Sequence, residues 1–167
     1  MSDQINIRNV SKNDLEIVFT WINDPEVRKM FLENHIITWD EHVNWFNNKF
    51  KDPNHRYFIG IDKNSNPVGQ IRFEISSRNA DVSVLVDPNQ RGHRLGIEII
   101  KKGSEYLFNE TDITTIHAYI KPYNEHSCRA FENAGYQKTG ITQCKEQIVY
   151  HYILKRPERV INNRIES

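Results

Sequence analysis

The sequence predicts an α+β domain in which a mixed, mostly antiparallel twisted sheet of six to seven strands is flanked by about four helices. Three observations support this fold class. Strand-like segments at 56–61, 68–75 and 81–86 follow one another with only turns between them, as in an antiparallel meander. A stripe of apolar and small residues then predicts a long helix from Ile97 to Phe108. Clean alternation over 115–121 predicts another strand after it.

The N-terminal third is predicted to contain one strand and three helical segments. Residues 5–10 alternate and form the strand, after which Ser11 caps a helix that is ended or interrupted at Asp24-Pro25. A second short helical segment covers 26–31. The run Thr38-Trp-Asp-Glu41 matches a capping box and begins a further helix. We expect that helix to bury Val43, Phe46 and Phe50.

The segment 82–96, VSVLVDPNQRGHRLG, is the centre of the functional prediction. An apolar strand stops at Asp87-Pro88 because proline cannot continue a strand ladder. A glycine-containing basic turn and the start of the long helix follow. This order gathers free backbone N–H groups at a helix N-terminus, a place that binds phosphate oxygens. The turn matches neither the P-loop nor the dinucleotide motif, and an ordinary strand-to-helix connection with surface arginines is the alternative.

The C-terminal third is predicted to contain a short helix and a closing hairpin. Pro122 ends the strand at 115–121, and Asn124 caps a helix over 125–133. Gly135 follows at the position of a left-handed C-terminal cap. Residues 136–141 and 147–154 form the hairpin, and a charged tail covers 155–167.

Composition points to one soluble domain covering residues 1–167. Basic and acidic residues balance at 22 each, so no global field favours nucleic acid or an anionic membrane. Cys128 and Cys144 have neither metal-ligand spacing nor a disulfide framework, and no metal is expected. The N-terminal residues lack a signal-peptide pattern, so a cytoplasmic protein is expected. The sequence leaves a homodimer open.

Two segments together resemble the GCN5-related N-acetyltransferases (GNAT). The run QRGHRLG is followed, about thirty residues later, by NEHSCRAFENAGY. In that family a Q/R-x-x-G-x-G/A turn binds the acetyl-CoA pyrophosphate, and an N-x-x-[AS]-x-x-x-Y-x-x-x-G-[FY] segment lies after it. The resemblance covers about residues 5–155. It implies an acetyl-CoA-dependent N-acetyltransferase whose sheet splays between strands 4 and 5.

The resemblance implies a set of cofactor-binding residues, with two departures from the family pattern. Arg94 stands where the family usually has glycine, which restricts positive φ although the guanidinium can pair with a phosphate. Phe131 stands where many members have the tyrosine that protonates the leaving thiolate, so that role cannot be transferred. The implied set is Leu85, Val86, Arg91, Gly92, His93, Arg94, Leu95, Gly96, Asn124, Ser127 and Phe131.

The catalytic candidates are Glu74, His117 and Tyr119. A substrate ammonium must lose a proton before it can attack, so a base is needed. The family position that often holds a glutamate is Tyr119 here, which leaves His117 on the same strand face and Glu74 on another strand as candidate bases. The alternatives are a plain surface histidine and a cross-strand ion pair between Glu74 and Arg72. Tyr119 and Tyr136 are the nearest candidates to protonate the thiolate.

The acceptor is predicted to be a small-molecule amine, most specifically the amino group of a UDP-linked amino sugar. The N-terminal third resembles a GNAT subgroup that acetylates nucleotide-linked amino sugars, through a W-x-N-x-x-x-V-R segment and a later H-x-x-W-F. Aromatic faces suit sugar rings and arginine suits a diphosphate, although core packing alone is the alternative for the aromatic residues. Protein N-terminal acetylation and a non-catalytic acetyl-CoA-binding module stay open. The acceptor candidates are Trp21, Asn23, Arg28, His42, Trp45 and Arg72.

Overall fold

The computed structural model describes residues 4–92 and 94–158. In this part the chain forms one seven-stranded sheet with helices on both faces. The elements in chain order are β1 (Asn6–Asn9), α1 (Leu15–Ile22), α2 (Pro25–Met30), α3 (Trp39–Lys51), β2 (His55–Ile61), β3 (Pro67–Ser76), β4 (Asn79–Val86), α4 (Leu95–Glu110), β5 (Thr115–Ile120), α5 (Glu125–Asn133), β6 (Gln137–Cys144) and β7 (Gln147–Lys155).

The strands are ordered β1-β2-β3-β4-β5-β7-β6. Every neighbouring pair is antiparallel except β4 and β5, which run parallel. That parallel pairing extends over only three residues of each strand, Asn79–Asp81 against Thr115–His117. Beyond them the two strands diverge. The predicted α+β class, the seven strands and the splay between strands 4 and 5 are therefore confirmed.

Two apolar cores lie on opposite faces of the sheet. The larger core joins the sheet to α4 and α5, and Ile71, Ile99 and Phe131 belong to it. The smaller core joins the other face to the N-terminal helices, and Val18, Trp21 and Ile59 belong to it. Strand alternation assigns successive residues to the two faces, so the sheet separates the cores along its length.

Close packing fixes α4 on the sheet. A Cβ atom added to Gly103 would stand 2.8 Å from Ile71 Cδ1, and one added to Gly69 would stand 2.5 Å from the carbonyl oxygen of Leu85. Both distances are too short for any side chain, so glycine at these positions allows helix and strands to approach. The N-terminus of α4 is thereby held at the end of β4.

Most predicted boundaries and caps are confirmed, with two corrections. Gly135 has φ +96°, and the amide of Tyr136 donates to the carbonyl of Phe131, which completes a left-handed cap on α5. The segment predicted as one helix after Ser11 begins with a 3₁₀ turn over Lys12–Asp14. The expectation that Phe50 is buried is wrong, because its ring stacks on Phe46 at the end of α3 and stays 46% exposed.

A search of residues 4–92 and 94–158 for helices with the length and apolarity of a membrane span found none.

Candidate active site

The diverging ends of β4 and β5 open a gap in the middle of the sheet. β4 continues from Val82 to Val86, and β5 continues from Ala118 to Ile120, without pairing to each other. Backbone N–H and C=O groups along these segments therefore face a space that no strand fills, and such groups need partners. Leu85 and Val86 lie on this segment, although the side chain of Leu85 is buried in the smaller core. The gap is where an extended ligand can take the place of a strand.

The turn before α4 presents the free N-terminus of that helix at the end of β4. Arg94 is the N-cap residue and has φ +59°, the left-handed conformation that the family's glycine would adopt without strain. Gly92 has φ +89°, and a Cβ atom added to it would meet no atom within 4 Å. The first amides of α4, including those of Leu95 and Gly96, have no partner inside the helix. These groups and Arg91, which is exposed, suit a phosphate.

The other cofactor candidates lie on or near α5. The side-chain oxygen of Asn124 accepts a hydrogen bond from the amide of Ser127 at 3.2 Å, so Asn124 caps α5 as predicted. Phe131 is buried and packs edge-to-face on Tyr136, with the ring centroids 5.0 Å apart. The Tyr136 hydroxyl is bonded to Ser104 Oγ at 2.8 Å, and burial raises its pKa well above the usual value. Tyr136 is therefore not placed to protonate a thiolate in the gap. His93 lies outside the described residues.

Two rows of polar side chains cross the sheet on the face opposite α4. Strand register defines them, because residues directly opposite each other share a face. The first row contains His55, Glu74, Asp81 and His117. The second row contains Tyr57, Arg72 and Ser83, and then, beyond the gap, Tyr119 and His151. The structure thus brings all three catalytic candidates to one face, around the point where β4 and β5 part.

The two carboxylates in the first row differ in their surroundings. Glu74 Oε1 accepts a hydrogen bond from Lys49 Nζ at 2.6 Å, and this bond holds its pKa below the usual value. Burial raises the pKa of Asp81, and the negative charge of Glu74 adds to that rise. Glu74 is thus a weak proton acceptor. Asp81 was not among the candidates chosen from the sequence. The strand pattern places it on the same face of β4 as Leu85 but does not indicate a role for it.

The rings of Tyr119, His117 and His151 lie nearly parallel to one another. The centroids of His117 and His151 are 5.1 Å apart, and those of Tyr119 and His151 are 4.9 Å apart. Burial and the charge of Asp81 raise the pKa of Tyr119, so its phenol keeps its proton at neutral pH. The sequence analysis missed His151, because only the β5–β7 register places it between the other two rings.

Four of the six acceptor candidates have structural partners instead of an open surface. Trp21 is 2% exposed in the smaller core. The side-chain amide of Asn23 exchanges hydrogen bonds with the backbone of Ile37. Arg28 is buried and donates to the carbonyls of Ile22 and Glu33, and His42 is bonded to the carbonyl of Leu15 at 2.8 Å. These contacts correct the expectation that the four side chains face an acceptor, since each completes the packing of the N-terminal helices.

The other two acceptor candidates lie together, because Trp45 of α3 packs against Arg72 of the second polar row. The guanidinium carbon of Arg72 is 4.8 Å from the centroid of the Trp45 indole, a cation–π contact. The closest Arg72–Glu74 approach is 3.9 Å, whereas Glu74 is bonded to Lys49. The Arg72 charge is therefore only partly compensated. Burial lowers the pKa of Arg72, but an arginine still carries its charge at neutral pH.

The end of α2 and the segment after it are tied to the loop after β5 and to β7. Lys121 Nζ and the Tyr123 hydroxyl both donate to the carbonyl of Lys29, at 3.1 and 2.9 Å. The side chain of Gln147 donates to the carbonyl of Leu32 at 2.6 Å. These bonds connect residues about ninety or more positions apart, which is why no local pattern predicted them.

A model of the acetyltransferase (GNAT) domain family matches residues 4–137. Acetyltransferase PseH of Campylobacter jejuni (serotype O:23/36, strain 81-176) is 23% identical over 154 residues, which cover 92% of this chain and 93% of the relative. The structure of AAC(6')-Ib with ribostamycin and coenzyme A has a TM-score of 0.82 at 18% identity, covering 92% of this chain and 94% of that one. Spermidine N-acetyltransferase of Vibrio cholerae, in complex with CoA and spermine, has a TM-score of 0.81 at 20% identity, covering 91% and 95%.

The structural likenesses establish the fold, and the family model, which matches about four-fifths of the chain, establishes the family. The gap between β4 and β5 and the free N-terminus of α4 are the places where the fold can receive a pantetheine arm and a diphosphate. The chain belongs to the GNAT acetyltransferase family and is an acetyl-CoA-dependent N-acetyltransferase.

Proposed function

We propose that this enzyme acetylates the primary amine of a nucleotide-linked amino sugar. The observation that carries the proposal is the partly compensated Arg72 stacked on Trp45. An acceptor that carries both an ammonium and an anionic group can use Arg72, whereas a polyamine or an aminoglycoside offers only cations. The chain is similar to acetyltransferase PseH over most of both chains. The resemblance of its N-terminal third to GNAT enzymes that acetylate nucleotide-linked amino sugars supports this class of acceptor.

The donor side of the proposed site uses the gap and the turn. The amides of α4 and Arg91 bind the diphosphate of acetyl-CoA, and the backbone of Leu85 and Val86 binds the pantetheine arm. Acetyl-CoA supplies a thioester carbonyl for attack and a thiolate as the leaving group. Phe131 cannot protonate that thiolate. Tyr119 takes this role, because it lies beside the gap and a phenol carries a proton at neutral pH.

The acceptor side uses the opposite face of the sheet. Arg72 pairs with a phosphate of the nucleotide, which places the amino group towards the first polar row. Asp81 in that row attracts the ammonium, since Glu74 is already paired with Lys49. A protein N-terminus lacks the diphosphate, so it would leave Arg72 without its anion.

The test compares acceptors and an Arg72→Gln variant. Steady-state rates are measured with UDP-linked amino sugars, the same sugars without the nucleotide, spermidine, an aminoglycoside and a peptide with a free N-terminus. We expect the UDP-linked sugar to have the highest kcat/KM. A lost charge-assisted hydrogen bond costs about 1.5–3 kcal/mol. Arg72→Gln should therefore raise the KM for the UDP-linked sugar roughly 10- to 150-fold.

The matched control is Arg78→Gln, an exposed arginine in the turn between β3 and β4. It should leave every rate unchanged. A higher kcat/KM for spermidine or the peptide, or an equal effect of Arg72→Gln on the sugar with and without its nucleotide, would contradict the proposed acceptor class.

A further inference from the structure

His117 and His151 are joined by a direct hydrogen bond between their rings. Nδ1 of His117 lies 2.8 Å from Nε2 of His151. Only one of these two nitrogens can carry a hydrogen, because two N–H groups facing each other would repel. The two facing nitrogens therefore share one hydrogen, and the protonation of one ring constrains the other.

The outer ends of this pair are also bonded. His117 Nε2 is 2.8 Å from Asn79 Oδ1, and His151 Nδ1 is 2.9 Å from Thr139 Oγ1. Because Asn79 Oδ1 only accepts, His117 Nε2 carries a hydrogen and His117 Nδ1 accepts from His151. His151 Nδ1 then accepts from the Thr139 hydroxyl. In this neutral form all four ring nitrogens have partners.

One additional proton fits the same network. When His151 Nδ1 is protonated it donates to Thr139 Oγ1, and the Thr139 hydroxyl turns to donate to the backbone carbonyl of His151, which is 3.2 Å away. No ring nitrogen loses its partner in this change. A second proton would place hydrogens on both facing nitrogens. The network therefore holds a single extra proton without leaving a polar group unpaired.

The pair stands at the vertex of the gap. His117 is opposite Asp81 in the last paired position of β4 and β5, and Tyr119 is the next residue on that face of β5. The titratable groups that face the pair are Asp81 from β4 and Tyr119 from β5. Glu74 of β3 raises the pKa of Asp81, and Cys144 of β6 raises the pKa of Tyr119. Burial lowers the pKa of His151, His117 lowers it further, and Asp81 opposes both effects.

From this geometry we propose that His117 and His151 act together as the one-proton acceptor of the acetyl transfer, with Thr139 and Asn79 as its positioning residues. The proposal rests on N-acetyl transfer and not on the identity of the acceptor. It assigns a role to His151, Thr139 and Asn79, none of which the sequence analysis had selected.

In the step that follows, one N–H bond of the substrate ammonium breaks and its proton passes by way of solvent to His151 Nδ1. The freed lone pair forms a bond to the thioester carbonyl, and the C–S bond breaks. A second N–H proton is lost as the amide forms, and the thiolate takes up one proton. The products are the acetamide, the thiol of coenzyme A and one proton on the pair. The proton on His151 Nδ1 then returns to bulk solvent by way of the hydroxyl of Thr139, which is exposed.

The test measures kcat and KM from pH 5.5 to 9 for His151→Gln and Thr139→Val, using any amine that the wild type acetylates. For His151→Gln we expect kcat to fall on the order of 100-fold near pH 7, with the KM for acetyl-CoA unchanged, and the acid limb of the kcat profile to be lost. Thr139→Val removes the hydroxyl that accepts a hydrogen bond from protonated His151 Nδ1. The acid limb of the kcat profile of this variant should therefore move to lower pH. Thr142→Val, on the same exposed strand, is the matched control and should match the wild type.

NMR of the wild type with ¹⁵N-labelled histidine gives a second readout that does not depend on a variant folding. We expect the two rings together to take up one proton first and the second only at a clearly lower pH, because a second proton would place hydrogens on both facing nitrogens. Independent protonation of both rings over one pH range would overturn the proposal. So would a His151→Gln variant whose kcat and acid limb match the wild type. Failure with every amino sugar but success with another amine would contradict only the proposed acceptor.

Discussion

Glu74 and Asp81 lie directly opposite each other on β3 and β4, two carboxylates side by side on the face of the sheet that carries the polar rows. Like charges in this position repel. Lys49 compensates Glu74 by a 2.6 Å bond, and the histidine pair lies next to Asp81. One carboxylate is therefore fixed in an ion pair, whereas the other is available to stabilise a positive charge.

The first prediction compares these two carboxylates. Asp81→Asn should lower kcat and move the acid limb of its pH profile to lower pH, because the negative charge of Asp81 raises the pKa of His151 and its loss removes that effect. Glu74→Gln should change kcat much less, since Glu74 is already neutralised by Lys49. Kinetic pH profiles of both variants check this. A larger loss in Glu74→Gln would return the role of base to Glu74.

The second prediction concerns Gly92 and coenzyme A. Gly92→Ala places a methyl group in the open space before α4 and should weaken coenzyme A binding at least about tenfold, or about 1.4 kcal/mol. Gly135→Ala is the matched control, because its φ of +96° imposes a similar backbone strain far from the turn. Calorimetry should show weaker binding only for Gly92→Ala, while both variants lose thermal stability. Equal affinities would place the diphosphate elsewhere.

The third prediction tests the left-handed conformation of Arg94. Arg94→Gly removes a strain of about 1–2 kcal/mol but adds backbone entropy to the unfolded chain, so the free energy of unfolding should stay level or rise by up to about 1 kcal/mol. Arg94→Val should lower it by more than about 1 kcal/mol, because a β-branched residue tolerates φ +59° poorly. Urea unfolding of both variants measures the difference. A more stable Arg94→Val would show that the turn changes conformation.

The fourth prediction concerns acid stability. Asp14 is buried beside α1, and although burial acts to raise its pKa, two 2.8 Å bonds from Arg8 and one from the amide of Ser11 bring the pKa below its usual value. A lowered folded-state pKa contributes stability above the unfolded pKa of about 3.9, and this contribution is lost as pH falls through the folded value.

Asp14→Asn should therefore destabilise the protein by about 1–3 kcal/mol at pH 7, with the difference from wild type narrowing in acid. Asp112→Asn, an exposed aspartate, is the control and should change stability little. Urea unfolding at several pH values checks both. A difference that does not depend on pH would show that packing, and not charge, explains the loss.

The fold was largely predictable because its signals are local. The capping box at Thr38, the cap at Asn124 and the alternation over 115–120 each identify an element within a few residues. The donor candidates came from the same kind of signal, since the turn and the start of α4 are contiguous in the chain, and their role stays a prediction. The resemblance supplied the splay, which no local pattern indicates.

The polar rows on the opposite face could not be predicted to the same extent, because they are assembled by strand register. His151 reaches His117 across 34 residues, and Asp81 becomes a neighbour of the pair only through the short parallel ladder. The residues chosen from spacing in the N-terminal helices, such as Trp21 and His42, belong to the packing of those helices. A tryptophan at helical spacing gives the same pattern in a core and at a ligand.

The separation of the two cores by the sheet makes the protein modular. In the proposed function the acetyl donor uses the N-terminus of α4 and the backbone of β4, whereas the acceptor uses Arg72 and Trp45 on the face that carries the smaller core. Exchange of the segment from α1 to α3 between family members should therefore transfer the choice of amine while the affinity for coenzyme A stays constant. The two halves of the reaction can then be redesigned one at a time.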